Sequence, residues 1–356
     1  MMRLSPSAAI ALEISVLSAF IGAVIGYFVH GPGIGPLTYV PQGAVTGLII
    51  STLIMLFEWL LRLHRVANVL RHLPFLPFIF FKALLYLAAI MLGLTVGALL
   101  FLGSVLTISM KLLVISFAVS LAIPLAMAIN GLLGKGVLLK FLVGRYHSPL
   151  LEERIFLFLD LEGSTAIAER IGPLAFHRLL NRFISDVTDP VMAWRGEIYK
   201  YVGDEMIITW PAESGLRDAR CLRACFDAQA KLDALADTYD QEFGVRPRFR
   251  AGMHCGVSVT GEMGTFRQEI AYLGDVVNTT ARIQQACRDT GRWFLASRAL
   301  IDRLRLPEDI SAESVGDIPL RGKKEVIELF ALERKTRGKA ADAPQDPPAG
   351  ESQPQE

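Results

Sequence analysis

The chain has 356 residues, which is long enough for two domains. Its formal net charge is only +1, so no overall electrostatic field favours a nucleic-acid partner. The mean hydropathy of +0.40 and the hydrophobic content of 52% are high for a soluble protein. The apolar residues concentrate in roughly the first 140 positions, and the charged residues follow them. We therefore expect a membrane domain first and a soluble domain second.

The membrane half contains apolar segments long enough to cross a bilayer as helices. They cover residues 8–29, 43–61, 76–102 and 105–130. The first segment is too long for a simple signal peptide and lacks a small-residue cleavage site. The sequence thus predicts a four-helix transmembrane domain that contacts membrane lipid.

The basic residues between these segments indicate their orientation. Arg62, Arg65 and Arg71 lie between the second and third segments, and Lys135 and Lys140 follow the fourth. Loops rich in Lys and Arg mark the cytoplasmic side of a membrane. We expect an integral protein of the cell (inner) membrane, with both termini and the soluble domain in the cytoplasm.

Two features inside the spans have structural interpretations. Glu58 and Lys82 fall near the cytoplasmic face, where long polar side chains usually extend to the membrane surface. Gly22 and Gly26 form a small-residue pair at a spacing that allows two helices to approach closely and to dimerise.

The domain boundaries follow from the change in composition. The transmembrane domain is predicted over 1–134, a glycine-containing linker over 135–153, and the soluble domain over 154–334. Residues 335–356 have no hydrophobic pattern and are rich in Pro, Ala and charge, so we expect a disordered tail.

The soluble half alternates between strand and helix patterns. Strands are predicted at 154–160, 196–202, 205–210, 247–260, 267–273, 293–296 and 326–332. Helices are predicted at about 165–193, divided by Pro173, at 214–242, and from Asp275 onward. The order strand–helix–strand–strand–helix–strand, here with additions, is that of a ferredoxin-like α+β fold.

The four cysteines and the scattered histidines argue against a zinc site. Cys221, Cys225, Cys255 and Cys287 match no zinc-ligand spacing, and all lie in the soluble half. Free thiols fit a reduced, cytoplasmic compartment.

Two acids stand at the ends of predicted strands. Asp160 ends the apolar run from Ile155, and Asp204 follows Gly203 in the turn between two strands. After Asp160, Gly163-Ser-Thr165 opens a helix, whose N-terminal amides can bind a phosphate. Asp160 on its own is equally compatible with a helix cap. Together with Asp204 it favours a two-metal phosphoryl-transfer site, and hard oxygen ligands favour Mg²⁺ or Mn²⁺.

Three motifs carry a resemblance to a known family. They are Phe158-Leu-Asp-Leu-Glu-Gly-Ser-Thr165, Lys200-Tyr-Val-Gly-Asp-Glu205 and Gly274-Asp-Val-Val-Asn-Thr-Thr-Ala-Arg282. A weaker fourth motif is Arg321-Gly-Lys323. In this order and spacing, residues 154 to about 332 resemble the catalytic domain of class III adenylyl and guanylyl cyclases.

The resemblance implies a role for each matching residue. Asp160, Asp204 and the carbonyl of Leu161 would bind two Mg²⁺ or Mn²⁺ ions, and Gly163, Ser164 and Thr165 would hold the triphosphate of ATP. Asn278 and Arg282 would act on the ribose and the α-phosphate, Lys200 on the base and Lys323 on a phosphate. A solvated basic turn is an equal alternative for Lys323. Because the family builds each site from two catalytic domains, the resemblance also implies a homodimer.

One departure concerns the choice of base. Adenylyl cyclases usually carry Asp or Thr three residues before the glycine at 274, and this chain has Ala271. Lys200 nevertheless favours ATP over GTP, because guanylyl cyclases usually have Glu at that position. The predicted function is a membrane-bound adenylate cyclase. A guanylate cyclase and a catalytically silent nucleotide-binding membrane receptor are the alternatives, while a diguanylate-type cyclase would need a GGDEF signature that is absent.

Overall fold

The computed structural model describes residues 6–28, 36–62, 74–102, 110–133, 144–266, 268–319 and 326–335. The chain divides into two compact units, Met1–Leu139 and Lys140–Glu356. The predicted tail lies outside the described residues, apart from Lys335.

The N-terminal unit contains long apolar helices. They are α1 (Pro6–Phe28), α2 (Pro36–Arg62), α3 (Phe75–Leu102) and α4 (Met110–Leu133), and each predicted span lies largely on one of them. Within the described residues, α2 and α3 are long and apolar enough to cross a membrane, whereas α1 and α4 contain shorter apolar stretches. Two such helices suggest a membrane region, and the four-span topology stays a prediction.

Glycines bring α1 and α2 into backbone contact. A Cβ atom at Gly22 would lie 2.1 Å from the carbonyl oxygen of Gly43, and one at Gly26 would lie 2.1 Å from the carbonyl oxygen of Tyr39. No side chain fits at such distances, so larger residues would force the helices apart. The close approach expected for Gly22 and Gly26 is therefore made within one chain.

Glu58 and Lys82 interact with each other across α2 and α3. The Lys82 Nζ lies 2.6 Å from the Glu58 Oε1, and the Tyr86 hydroxyl donates to the same oxygen at 2.8 Å. The two charged side chains are only 17% and 14% exposed. The sequence did not predict this ion pair, in which each side chain supplies the partner that the other needs when buried.

The second unit is an α+β domain around one sheet. Its strands are β1 (Leu150–Leu161), β2 (Glu197–Val202), β3 (Glu205–Pro211), β4 (Phe249–Met263), β5 (Glu269–Leu273), β6 (Phe294–Ser297), β7 (Ile310–Pro319) and β8 (Val326–Arg334). Its helices are α5 (Ser164–Ile171), α6 (Pro173–Ala193), α7 (Ala212–Leu216), α8 (Arg220–Ala234), α9 (Ala236–Phe243), α10 (Asp275–Thr290) and α11 (Arg298–Ile301), with a 3₁₀ turn at Arg217–Ala219.

The strands pair in the order β2-β3-β1-β4-β6-β8-β7, and β5 pairs with β4. Among the strands that the structure describes, only β4 and β6 pair in parallel, so the sheet is mixed. The first four strands alternate with α6 and α8 in the ferredoxin-like order that the sequence predicted. The division of the first helix at Pro173 and the turn at Gly203 are also confirmed.

The central strand β1 has two different faces, because successive side chains of a strand point to opposite sides. Ile155, Leu157 and Leu159 belong to the main hydrophobic core, which is closed by α6 and α8. Phe156 and Phe158 belong to a second, smaller cluster on the other face. Alternation places Arg154 and Asp160 on the face of that smaller cluster.

The helix predicted at 214–242 is interrupted. Asp218 and Ala219 have positive φ angles of 56° and 50°, which break the chain into α7, the 3₁₀ turn and α8. The edge strand β7 was missed, since Ile310 is its only buried residue and it lacks a regular apolar alternation.

Candidate active site

The register of two strands brings the predicted acids together. Asp160 at the end of β1 pairs with Glu205 at the start of β3. Asp204 precedes Glu205 in a two-residue turn, where Gly203 has a φ of 65°. The carboxyl groups of Asp160 and Asp204 lie close enough for the Asp204 charge to raise the pKa of Asp160. Acids 44 positions apart in the sequence thus share one sheet edge.

The site concentrates negative charge in a partly buried place. Burial raises the pKa of Asp160 to about 6, with a further contribution from the charge of Asp204. Burial also raises the pKa of Glu205 to about 7, and the charges of Asp160 and Asp204 add to this effect. Glu205 was not among the predicted site residues, although it stands next to Asp204 in the quoted motif. Like charges held together in this way favour binding of a cation.

The donor set fits a hard divalent cation. Asp160 and Asp204 offer carboxylate oxygens, the ligand type that Mg²⁺ and Mn²⁺ prefer. The side chain of Leu161 is buried in the core, so only its backbone can contribute a ligand. Among the residues that the structure describes, no three His, Cys, Asp or Glu side chains are grouped for metal binding. A cation here would therefore need ligands beyond protein side chains.

The helix that follows Asp160 begins with backbone amides that no side chain caps. Gly163 has a φ of 69°, in the left-handed region that favours glycine, and a Cβ there would meet nothing within 4 Å. No side chain caps the start of α5 at Ser164, so the first amides, including that of Thr165, lack an intrahelical partner. The amides of Ser164 and Thr165 lie four and five residues after Asp160. The arrangement suits an anionic ligand beside a metal.

The helix α10 contacts Asp160 through residues that the sequence did not single out. A hydrogen bond from Gln284 and the charge of Arg288 both oppose the rise in the Asp160 pKa. Asn278 is exposed and Arg282 half-buried, on the N-terminal part of the helix. At 3.6 residues per turn, the two pairs point about 120° apart around the helix axis. In the sequence, the four-residue spacing of Gln284 and Arg288 was the signal that could have indicated that both lie on one face of the helix.

Lys200 forms an ion pair with a carboxylate. Its Nζ lies 2.9 Å from the Oε1 of Glu269, and it sits 5.6 Å from the ring centroid of Tyr199. Ala271 is buried on β5 opposite Gly261. Glu269 was not among the predicted site residues. Lys323 lies outside the described residues, so its role stays a prediction.

The sequence comparison identifies one family. Residues 149–334 match the model of the adenylate and guanylate cyclase catalytic domain. The chain therefore belongs to this family, the class III cyclases.

Individual relatives extend the match. The chain is 39% identical over 244 residues to Adenylate cyclase 2 of Rhizobium meliloti, covering 68% of this chain and 66% of that protein. It is 28% identical over 182 residues to an adenylate cyclase of Anabaena cylindrica, covering 49% of this chain and 36% of that protein. The chain thus spans less than two thirds of the length of these relatives.

A solved structure shares the fold. The structure of a bacterial light-regulated adenylyl cyclase superposes with a TM-score of 0.55 at 19% identity, covering 64% of this chain and 68% of that one.

Proposed function

We propose that the protein is a membrane-bound adenylate cyclase that converts ATP into 3′,5′-cyclic AMP and pyrophosphate for intracellular signalling. The observation that carries this proposal is the meeting of Asp160 and Asp204 beside the open start of α5. Family membership and the 39% identity to a protein named adenylate cyclase support it.

In the proposed reaction the ribose 3′-oxygen attacks the α-phosphorus. A bond forms between these atoms, and the bond from the α-phosphorus to the bridging oxygen breaks. Pyrophosphate leaves with the electron pair of that bond, and the proton of the 3′-hydroxyl passes to solvent water. Two Mg²⁺ or Mn²⁺ ions held by Asp160, Asp204 and the Leu161 carbonyl would make the 3′-oxygen more acidic and neutralise phosphate charge. The Gly163–Thr165 amides orient the triphosphate at the start of α5.

Asn278 and Arg282 complete the chemistry. Asn278 orients the ribose, and Arg282 donates to the phosphate oxygens as charge develops on them. Arginine suits this role because its guanidinium stays charged and forks onto two oxygens. Four residues apart on α10, the two side chains can reach one nucleotide together.

We also propose that the active form is a homodimer with two shared sites. Asp160 meets Gln284 and Arg288 of its own chain, whereas Asn278 and Arg282 point elsewhere. A second copy can supply them, and twofold symmetry then makes two equivalent sites. An apolar strip supports a partner as well, since Leu151, Val259 and Leu273 are in register across three strands and exposed.

The base is proposed to be adenine, read partly by Lys200. Its ammonium can donate to a ring nitrogen of the base, but Ala271 offers no side-chain partner for the exocyclic amino group. Discrimination against GTP should then be looser than in a site with two polar contacts. Lys323, in the weaker motif, is proposed to contact a phosphate.

The N-terminal unit is proposed to anchor the enzyme in the inner membrane. Four spans, with the basic segments around Arg65 and Lys135 on the inside, would put the catalytic domain in the cytoplasm. The two long apolar helices support part of this arrangement.

The test is a cyclase assay on the purified full-length protein, with ATP or GTP and with Mg²⁺ or Mn²⁺. Cyclic AMP from ATP is the expected product, and Asp204→Ala should remove it. Cyclic GMP as the main product would make the protein a guanylate cyclase. If neither product forms in any combination and nucleotide still binds, the result would instead support the silent receptor.

A further inference from the structure

A buried tyrosine occupies the centre of the smaller cluster. Tyr272, on β5, is only 7% exposed. Its ring lies 4.8 Å from that of Tyr199 and 5.5 Å from that of Phe156, in edge-on geometry. The guanidinium of Arg154 lies over it, 4.7 Å from the ring centroid. Such contacts fix the position of a ring more tightly than apolar packing alone.

Hydrogen bonds to three side chains fix the guanidinium of Arg154. It is 2% exposed, and its Nη2 and Nη1 donate to Glu197 at 2.6 Å and to Glu152 at 3.1 Å. Its Nε donates to the Thr209 hydroxyl at 3.0 Å. Because a shift would leave buried charges unpaired, this guanidinium is a rigid support for the ring of Tyr272.

The same cluster reaches two elements that carry the proposed nucleotide contacts. Tyr199 immediately precedes Lys200, at a strand irregularity between Ile198 and Lys200. From the other side, Val276 of α10 belongs to the cluster, with Val277 and Ala281 packed against it. Asn278 and Arg282 project from that helix. The cluster that contains this ring therefore connects the strand that carries Lys200 with the helix that carries the other two side chains.

We propose that Tyr272, supported by Arg154, is a positioning residue that sets the geometry of Lys200, Asn278 and Arg282 relative to one another. In this role Tyr272 acts through those three side chains and does not itself bind substrate or metal. This inference rests on the proposed function, since those three side chains are taken to contact the nucleotide.

The test compares two substitutions at one position. Tyr272→Leu keeps apolar volume but removes the ring, and misplaced contact groups should raise the KM for ATP roughly tenfold with a smaller change in kcat. Tyr272→Phe keeps the ring and should stay near the wild-type values. Binding of the non-cyclisable α,β-methylene analogue of ATP, measured by calorimetry, should weaken in parallel for the leucine variant alone.

A matched control exists in the main core. Tyr239 is also fully buried, and the guanidinium of Arg182 lies 5.1 Å from its ring centroid. Tyr239→Leu should lower stability without a selective change in the KM. Equal effects of the two leucine variants on KM and binding, or no effect of Tyr272→Leu, would overturn the proposal.

A second variant probes the support. Arg154→Met should reproduce the KM increase if the variant folds. If circular dichroism shows that Arg154→Met does not fold, the comparison of Tyr272→Leu with Tyr272→Phe tests the proposal. The binding measurement also separates two failures. A wild-type protein that binds the analogue but makes no cyclic nucleotide would refute the proposed function, while the ratio of binding constants would still report on Tyr272.

Discussion

The two faces of β1 differ in what they carry. On the core face, Ile155, Leu157 and Leu159 are completely buried among apolar side chains. The opposite face carries a buried arginine at Arg154 and ends with Asp160, whose pKa is raised to about 6. Burial is favourable at every one of these positions on the core face. On the opposite face, burial of a charged group is costly unless the group has a partner. The core face stabilises the domain, and the other face holds its chemistry.

The largest effect should follow from changing the charged end of the site face. Asp160→Asn should reduce cyclase activity by at least about a thousandfold, because it removes a ligand charge from a two-metal site. Without metal, the same change should leave the melting temperature unchanged or raised, since it relieves repulsion with Asp204.

Activity and thermal unfolding of one preparation measure both effects. The exposed Asp302 serves as a control, and Asp302→Asn should change neither. A strong loss of stability in Asp160→Asn would mean that the acid supports the fold rather than the reaction.

The next effect tests whether one chain completes its own site. Asp204→Ala and Arg282→Ala should each be inactive alone. Random pairing of an equal mixture gives about half mixed dimers with one intact site each, so roughly a quarter of the wild-type activity should return. The mixture must be refolded or coexpressed to allow exchange, and cyclic AMP formation is measured. Activity that stays at the single-variant level would count against shared sites.

Substitution on the core face should act on stability instead. Leu157→Ala removes a fully buried side chain and should lower the free energy of unfolding by about 2–5 kcal/mol. The folded fraction should retain near-normal kcat, because Leu157 points away from Asp160. Urea unfolding and activity per folded molecule check both statements. A selective loss of kcat at full stability would contradict the division between the faces.

The sequence was most informative where chemistry depends on neighbouring positions. The turn at Gly203-Asp204 and the acid at the end of β1 follow from local patterns, and so does the start of α10 at Asp275. The meeting of Asp160 with Gln284 does not, because it depends on how closely α10 approaches β4. A Cβ at Gly252 would lie 2.3 Å from the Gln284 backbone nitrogen, a contact visible only in three dimensions.

The charged network around Arg154 could not be predicted either, because its members are far apart in the sequence. Arg154 meets Glu197, which is 43 positions away, and Tyr272 on a third strand. Nothing near Arg154 in the sequence distinguishes it from an exposed strand residue. The break at Asp218 was not predicted either, because helix propensity is only a weak guide to where a helix ends.

The smallest expected effect is a pH dependence of the core face. Burial raises the pKa of Cys221 to about 12 and that of Cys255 to about 11, and both thiols belong to the main core. The folded state therefore favours the neutral thiol. Its contribution to stability is complete below the ordinary thiol pKa of 9.0 and is lost as the pH rises toward these values.

Each thiol should cost about 1 kcal/mol of stability between pH 9 and 10, because the unfolded chain releases protons that the folded chain retains. Urea unfolding at both pH values, for the wild type and for Cys221→Ala with Cys255→Ala, measures the difference. The double variant should show the shallower pH dependence, since other groups that titrate in this range are common to both proteins. Parallel curves would mean that these thiols reach water in the folded state, and that the core face is less completely closed than the structure indicates.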